Sequence, residues 1–267
     1  MKPTRTLPVG LLFGWVLLGV LVVPFVALTV STSPESVRSG ITNEMFAPAL
    51  RLSLWTSFVS VVLAAIGGTP LAWWLATTRS RAAHTVSLLV QLPIVMPPAV
   101  VGIALLETFG RQGVLGPALS LFGVSIPFTA TAVVLAQVVV AAPFYVQAAS
   151  NAFREIDPET LRVARTLGAT SRIAWSRVAL PIALPGLAVG ASLAWARALG
   201  EFGATLLFAG NLTGRTQTMP LAILSALEAD IGLAVVFSLA LALSALLVLG
   251  ALQLVPVAVS RRRSQRS

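Results

Sequence analysis

Few residues in this 267-residue chain could perform chemistry. It has no cysteine, one histidine, nine acids, and 18 lysines and arginines. Without thiols there are no disulfides and no thiolate metal sites, and one histidine cannot build a metal site alone. That residue, His84, stands near Arg79 and Arg81 and reads as a solvated loop residue. No GxxxxGK[ST] phosphate loop occurs, since GNLTGRT (210–216) has neither the lysine nor the spacing, and HExxH and GxSxG are absent. Asn211-Leu212-Thr213 matches a glycosylation triplet, a pattern short enough to arise by chance. No metal or cofactor is expected. If the chain moves something uphill, the energy comes from a partner.

Charge gathers in two places. The first is residues 154–181, which hold eight of the 27 charged residues. Asp157, Pro158 and Glu159 form a helix start: a capping acceptor, proline at the first position, and an acid at the positive end of the dipole. The helix should run to about Leu167, with Gly168 as the left-handed residue that ends it. Thr170 or Ser171 then caps a second short helix leading towards Pro181 and Pro185. Leu161, Ala164 and Leu167 line one side of the first helix; Arg162 and Arg165 lie away from it or at its border. Two readings stay open on the residues alone. One is an amphipathic hairpin on the inner leaflet, and the other is a knob with Leu167-Gly168-Ala169 at its apex, inserted into a cytoplasmic partner.

The second place is Arg197 and Glu201, four residues apart in an apolar stretch and therefore on one helix face. A charge at mid-membrane costs roughly 2.5–3.5 kcal/mol on insertion scales, so neither should face lipid. They could pair with each other, meet the equivalent helix of a second copy, or line a path and bind an anion through Arg197. A tight cationic site would hinder release of a transported anion.

Composition says what holds these residues. The chain is 57% hydrophobic and 10% charged. A soluble domain carries about a quarter charged residues, so the main solvent here is the bilayer. The net charge of +9 lies in residues flanking apolar spans, which argues for helix orientation and against nucleic acid. Apolar runs place spans at 9–30, 52–76, 86–109, 125–150, about 182–208 and about 232–259, giving an all-α membrane protein of six transmembrane helices. A signal peptide is the competing reading of 9–30, but the run is long for one and no A-x-A site follows. The third span contains Pro93, Pro97 and Pro98, so it must be bent or broken, with the freed carbonyls set against protein or a water-filled route. With the N-terminus inside, 13 of the 18 basic residues fall on the cytoplasmic side. Both termini and the 154–181 loop are then cytoplasmic.

The 154–181 stretch resembles the glutamate-alanine-alanine loop of ABC importer permeases. The match runs through Ala164, Gly168, Val178 and Pro181 and departs at Arg162 and Val163, where the pattern has glutamate and alanine. LPIVMPPAVVGIALL (92–106), LPIALPGLAVG (180–190) and ARALGEFGATLLFAGNLTGRTQTMPLAI (196–223) are similar to the molybdate transport permeases, with sulfate and tungstate permeases sharing a weaker form. The similarity covers about residues 47–250. It implies a type I ABC importer permease fold over one transmembrane domain, 1–267, in the bacterial or archaeal cytoplasmic membrane. It further implies a homodimer, two ATPase subunits and an extracytoplasmic molybdate-binding protein. The residues that would couple to the ATPase are Asp157, Leu161, Arg162, Ala164, Leu167, Gly168, Ala169 and Pro181. Pro97, Pro98, Arg197, Gly200 and Glu201 would form the membrane interior, gate or subunit interface. A passive anion channel and a multipass enzyme are the alternatives from other classes. Neither has reason to bring an ABC ATPase with it.

Overall fold

A computed structural model describes the backbone of residues 7–264 and the side-chain environments of 11–251. Lys2, Arg5 and Arg266, which enter the orientation argument, lie outside the described residues, as do the side chains of Arg261 to Arg263. The described residues form helices and turns, without strands. Five helices are long and apolar enough to cross a membrane, and counting one bent pair as a single span brings the number to six.

The scaffold is the pair α3 (Phe46–Thr77) and α7 (Ala130–Arg154). One face of α3 is small and buried: Ser53, Thr56, Ser57, Ser60, Ala64, Gly68 and Ala72. Small residues let two backbones approach, which is how helices bind each other where lipid removes the hydrophobic drive. The approach is close enough that a Cβ on Gly68 would sit 2.8 Å from the Tyr145 ring. Polar bonds fasten the pair: Ser60 Oγ donates to Gln137 Oε1 (3.1 Å), and the Thr69 and Tyr145 hydroxyls meet at 2.7 Å. At one end Arg154 Nη2 donates to the Leu75 carbonyl (3.4 Å), so the turns after α3 and after α7 lie at the same end.

Around this pair the other elements follow from their termini. α1 (Leu7–Val30) has no polar face, and α2 (Pro34–Thr42) is a short amphipathic helix whose Ser33 cap accepts from Ser36 N. The third span is α4 (Arg81–Val95) and α5 (Pro98–Phe109), bent by 114° across Met96 and Pro97. Pro97 and Pro98 supply no N–H, so the α-helical ladder stops where they stand. α6 (Gly116–Leu121) is a single short turn region before α7. After α7 come α8 (Pro158–Thr166), α9 (Ser171–Ile173), a π-helical segment (Ala174–Ala179) and α10 (Leu180–Leu199). The wide turns precede Pro181, whose ring would crowd the carbonyl four residues back in an α-helix.

The structure differs from the sequence expectation at the fifth span. The second short helix is no separate element: residues 171–199 run on as one span through the π segment. That span ends at Leu199 rather than near 208, because Gly200 closes it and residues 203–209 form a separate helix, α11 (Gly203–Ala209). A further apolar helix, α12 (Met219–Ala229), precedes α13 (Ile231–Ser264). Its 11 residues rise about 17 Å, too short to cross.

Candidate functional site

α8 projects from the end of the scaffold that holds Arg154 and is fixed at both of its own ends. Asp157 accepts from Glu159 N through its side chain (2.9 Å), and Pro158 occupies the first turn. At the other end Gly168 has φ +88°. Its N–H donates to the Arg165 carbonyl and Ala169 N to the Ala164 carbonyl, both at 3.0 Å, which closes the helix in a left-handed cap. Thr170 Oγ1 then accepts from Ile173 N (3.3 Å) and starts the return. Leu161 and Trp175 pack on the cluster that holds Phe153, Ile156, Ala179 and Ala183, so the hairpin is seated on α7 and α10. The opposite face is free: Arg162 pairs with Glu159 at 2.8 Å, and both side chains are more than half exposed.

Leu167 departs from its expected place. It is 83% exposed, not on the side shared by half-buried Leu161 and Ala164, because the helix ends at Thr166 and Leu167 belongs to the cap turn. The apex therefore presents one large apolar side chain beside a glycine with nothing within 4 Å of its missing Cβ.

The second group sits where two broken helices meet. Arg197 Nη2 lies 2.7 Å from Glu201 Oε2, and the Glu201 side chain is 1% exposed. The four-residue spacing does not continue one helix, since α10 ends at Leu199 and Gly200 forms the turn. The buried carboxylate instead bridges the break, because its Oε1 also accepts from Ala204 N (2.8 Å) in the first turn of α11. An acid at a helix N-terminus satisfies a backbone donor that would otherwise be orphaned. α11 in turn lies on α5: a Cβ on Gly203 would come within 2.9 Å of Pro98 Cβ, and one on Gly102 within 3.0 Å of the Ala204 carbonyl. Pro97 and Pro98 are themselves exposed at the bend.

Comparison with known proteins follows this architecture. Residues 68–262 match the family described as binding-protein-dependent transport system inner membrane component. The molybdenum transport system permease protein ModB of Mycobacterium tuberculosis is 42% identical over 240 residues, covering 90% of this chain and 91% of the relative. The protein of the same name from Escherichia coli is 36% identical, covering 75% of this chain and 90% of the relative. The chain belongs to the binding-protein-dependent inner membrane permeases. Solved structures agree on the fold. A bacterial ABC transporter that imports alginate superposes with TM-score 0.73 at 19% identity over 95% of this chain and 94% of that one. The methionine ABC transporter MetNI gives 0.61 at 22% over 82% and 95%. A permease of this kind is a transport subunit and not itself the ATPase.

The contacts that join α5 to α11 leave no mark in the sequence. Gly203 against Pro98 and Gly102 against α11 pair residues far apart in the chain, and no local signal marks them. Arg154, read as one more loop cation, caps the end of α3.

Proposed function

We propose that this chain is the membrane subunit of an ATP-driven importer that translocates molybdate across the cytoplasmic membrane. The observation that carries the substrate is the 42% identity, over 240 residues, to a molybdenum transport permease. Two copies would surround one path, two ATPase subunits would sit on their inner face, and a loaded molybdate-binding protein would dock on the outer loops near Arg215. Both termini would lie in the cytoplasm, and ATP hydrolysis would belong to the ATPase.

In this reading the α8 hairpin is the coupling element. It offers an exposed edge bearing Arg162 and the Leu167-Gly168-Ala169 apex, on a base anchored by Asp157, Leu161, Ala164 and the turn towards Pro181. A partner moves it only if the two ATPase states contact it differently. Movement of the hairpin then passes along residues 171–199, a span continuous from the loop to Leu199. It arrives at Gly200 and the Arg197–Glu201 bridge, which holds α11 against Pro98 on the bent third span. Pro97, Pro98 and Gly200 are the natural places for that region to open.

The test is reconstitution of the permease with its ATPase and binding protein in vesicles, scoring ATP hydrolysis against molybdate, tungstate and sulfate. Stimulation by molybdate is expected. Stimulation by sulfate but not molybdate would overturn the substrate, and failure of the ATPase to co-purify would overturn the importer.

A further inference from the structure

The turn between α3 and α4 and the inner end of α7 enclose an open groove of about 600 Å³ lined by Thr78, Arg79, Ser80, Arg81, His84 and Arg154 among others. No acid lines it. Among the described residues the ion pairs are Glu159 with Arg162 and Arg197 with Glu201, so the three groove arginines have no carboxylate partner. All three guanidiniums are exposed at the groove, where water screens their mutual repulsion and leaves their donors open to a dianion that could meet more than one of them. Arg154 is held in place by its bond to the Leu75 carbonyl, the remaining donors of its fork being left for the groove.

The groove continues inward. Leu75, Ser87 and Arg154 also line a slot of about 90 Å³ between α4 and α7, whose other walls include Gln91, Gln147, Ser150 and Asn151. Amides and hydroxyls at the inner end of two membrane helices are tolerable where they face protein or water. A lipid tail would need an apolar channel there, and a hydrated small ion would not.

We propose that this groove binds a tetrahedral oxyanion. Arginine forks match two oxygens of such an ion at a time, and the hydroxyls of Thr78 and Ser80 can donate to the others. Two sources share this chemistry: a free dianion delivered by the transporter, and the phosphate of an anionic lipid in the adjacent leaflet. The polar slot favours the first. The proposal depends on the importer reading only for the supply of that dianion.

The assembled permease–ATPase complex, without binding protein, is placed in phosphatidylcholine nanodiscs and titrated with molybdate and with sulfate by equilibrium dialysis. A parallel sample in mixed phosphatidylglycerol lipid is examined for co-purifying lipid by native mass spectrometry. Wild type should bind in at least one arm. Arg79→Gln/Arg81→Gln should weaken that binding at least tenfold, Arg79→Lys/Arg81→Lys should be intermediate, and Arg172→Gln, outside the groove, should bind as wild type. The lysine variant keeps charge without the fork, so it reads the site even if the glutamine variant fails to assemble. Binding of sulfate without molybdate would leave the site standing and count against the proposed cargo. Retention of phosphatidylglycerol alone would assign the lipid source. No binding in either arm, or equal affinity in wild type and both double variants, overturns the proposal.

Discussion

Gly203 lies against Pro98 so closely that a single methyl group on the glycine would reach to 2.9 Å from the proline Cβ. A proline ring has little freedom to give way, so the two helix breaks are locked to each other at this point. Gly203→Ala should therefore cost about 1–3 kcal/mol, the usual range for overpacking. Gly67→Ala, where nothing lies within 4 Å, should be neutral or slightly stabilising. Thermal unfolding of the two variants in detergent compares them directly, and equal melting points would show that the contact is slack.

Glu201 accepts a hydrogen bond from Ala204 N on one oxygen and faces Arg197 in an ion pair on the other, and the substitutions separate the two. Gln at this position keeps an acceptor for Ala204 N and loses the charge facing Arg197, whereas Ala loses both. Arg197 is partly exposed and can take up water once unpaired, so Glu201→Gln should cost about 1 kcal/mol, whereas Glu201→Ala also orphans the Ala204 N–H and should cost about 1–3 kcal/mol more. The readouts are stability of the assembled complex and ATP hydrolysis driven by the loaded binding protein, with affinity of the separate binding protein for its ligand as the unchanged control. Normal assembly and transport in both variants would remove the bridge from the mechanism.

Gly168 tests the hairpin. Its φ of +88° is one that side chains adopt at a cost of roughly 1–2 kcal/mol, and its surroundings are empty. Gly168→Ala should thus strain the apex without disturbing the membrane core. We expect a fall in thermal stability no larger than that strain, with ligand-stimulated ATPase activity reduced several-fold. A loss of activity matched by a loss of folding would point to structure, not coupling.

How much of this could be read beforehand depends on range. The cap at Asp157, proline in the first turn and the left-handed Gly168 are local devices, and the sequence announces each within a few residues. The break at Pro97 and Pro98 was equally visible, since the missing N–H groups are written in the residue type. The end of the fifth span was hidden because Ala204 to Ala209 is as apolar as the helix before it, so hydropathy runs through Gly200 unbroken. α12 is hidden for a related reason: Thr218 and Pro220 mark a helix start, but the stretch is too short to form a span. The ion pair was visible as spacing, yet its role in bridging two helices required knowing that α10 stops between its members.

The 114° bend has a consequence for how the chain is made. At 1.5 Å per residue, α4 with 15 residues reaches about 22 Å and α5 with 12 about 18 Å, each short of a bilayer core of about 30 Å. Much of the surface that α5 rests on is supplied by α11, encoded roughly a hundred residues downstream. At about 5–20 residues per second, that partner leaves the ribosome some 5–20 s later. Until then the bent α4–α5 pair lacks that support, and its maturation is timed by translation of the second half.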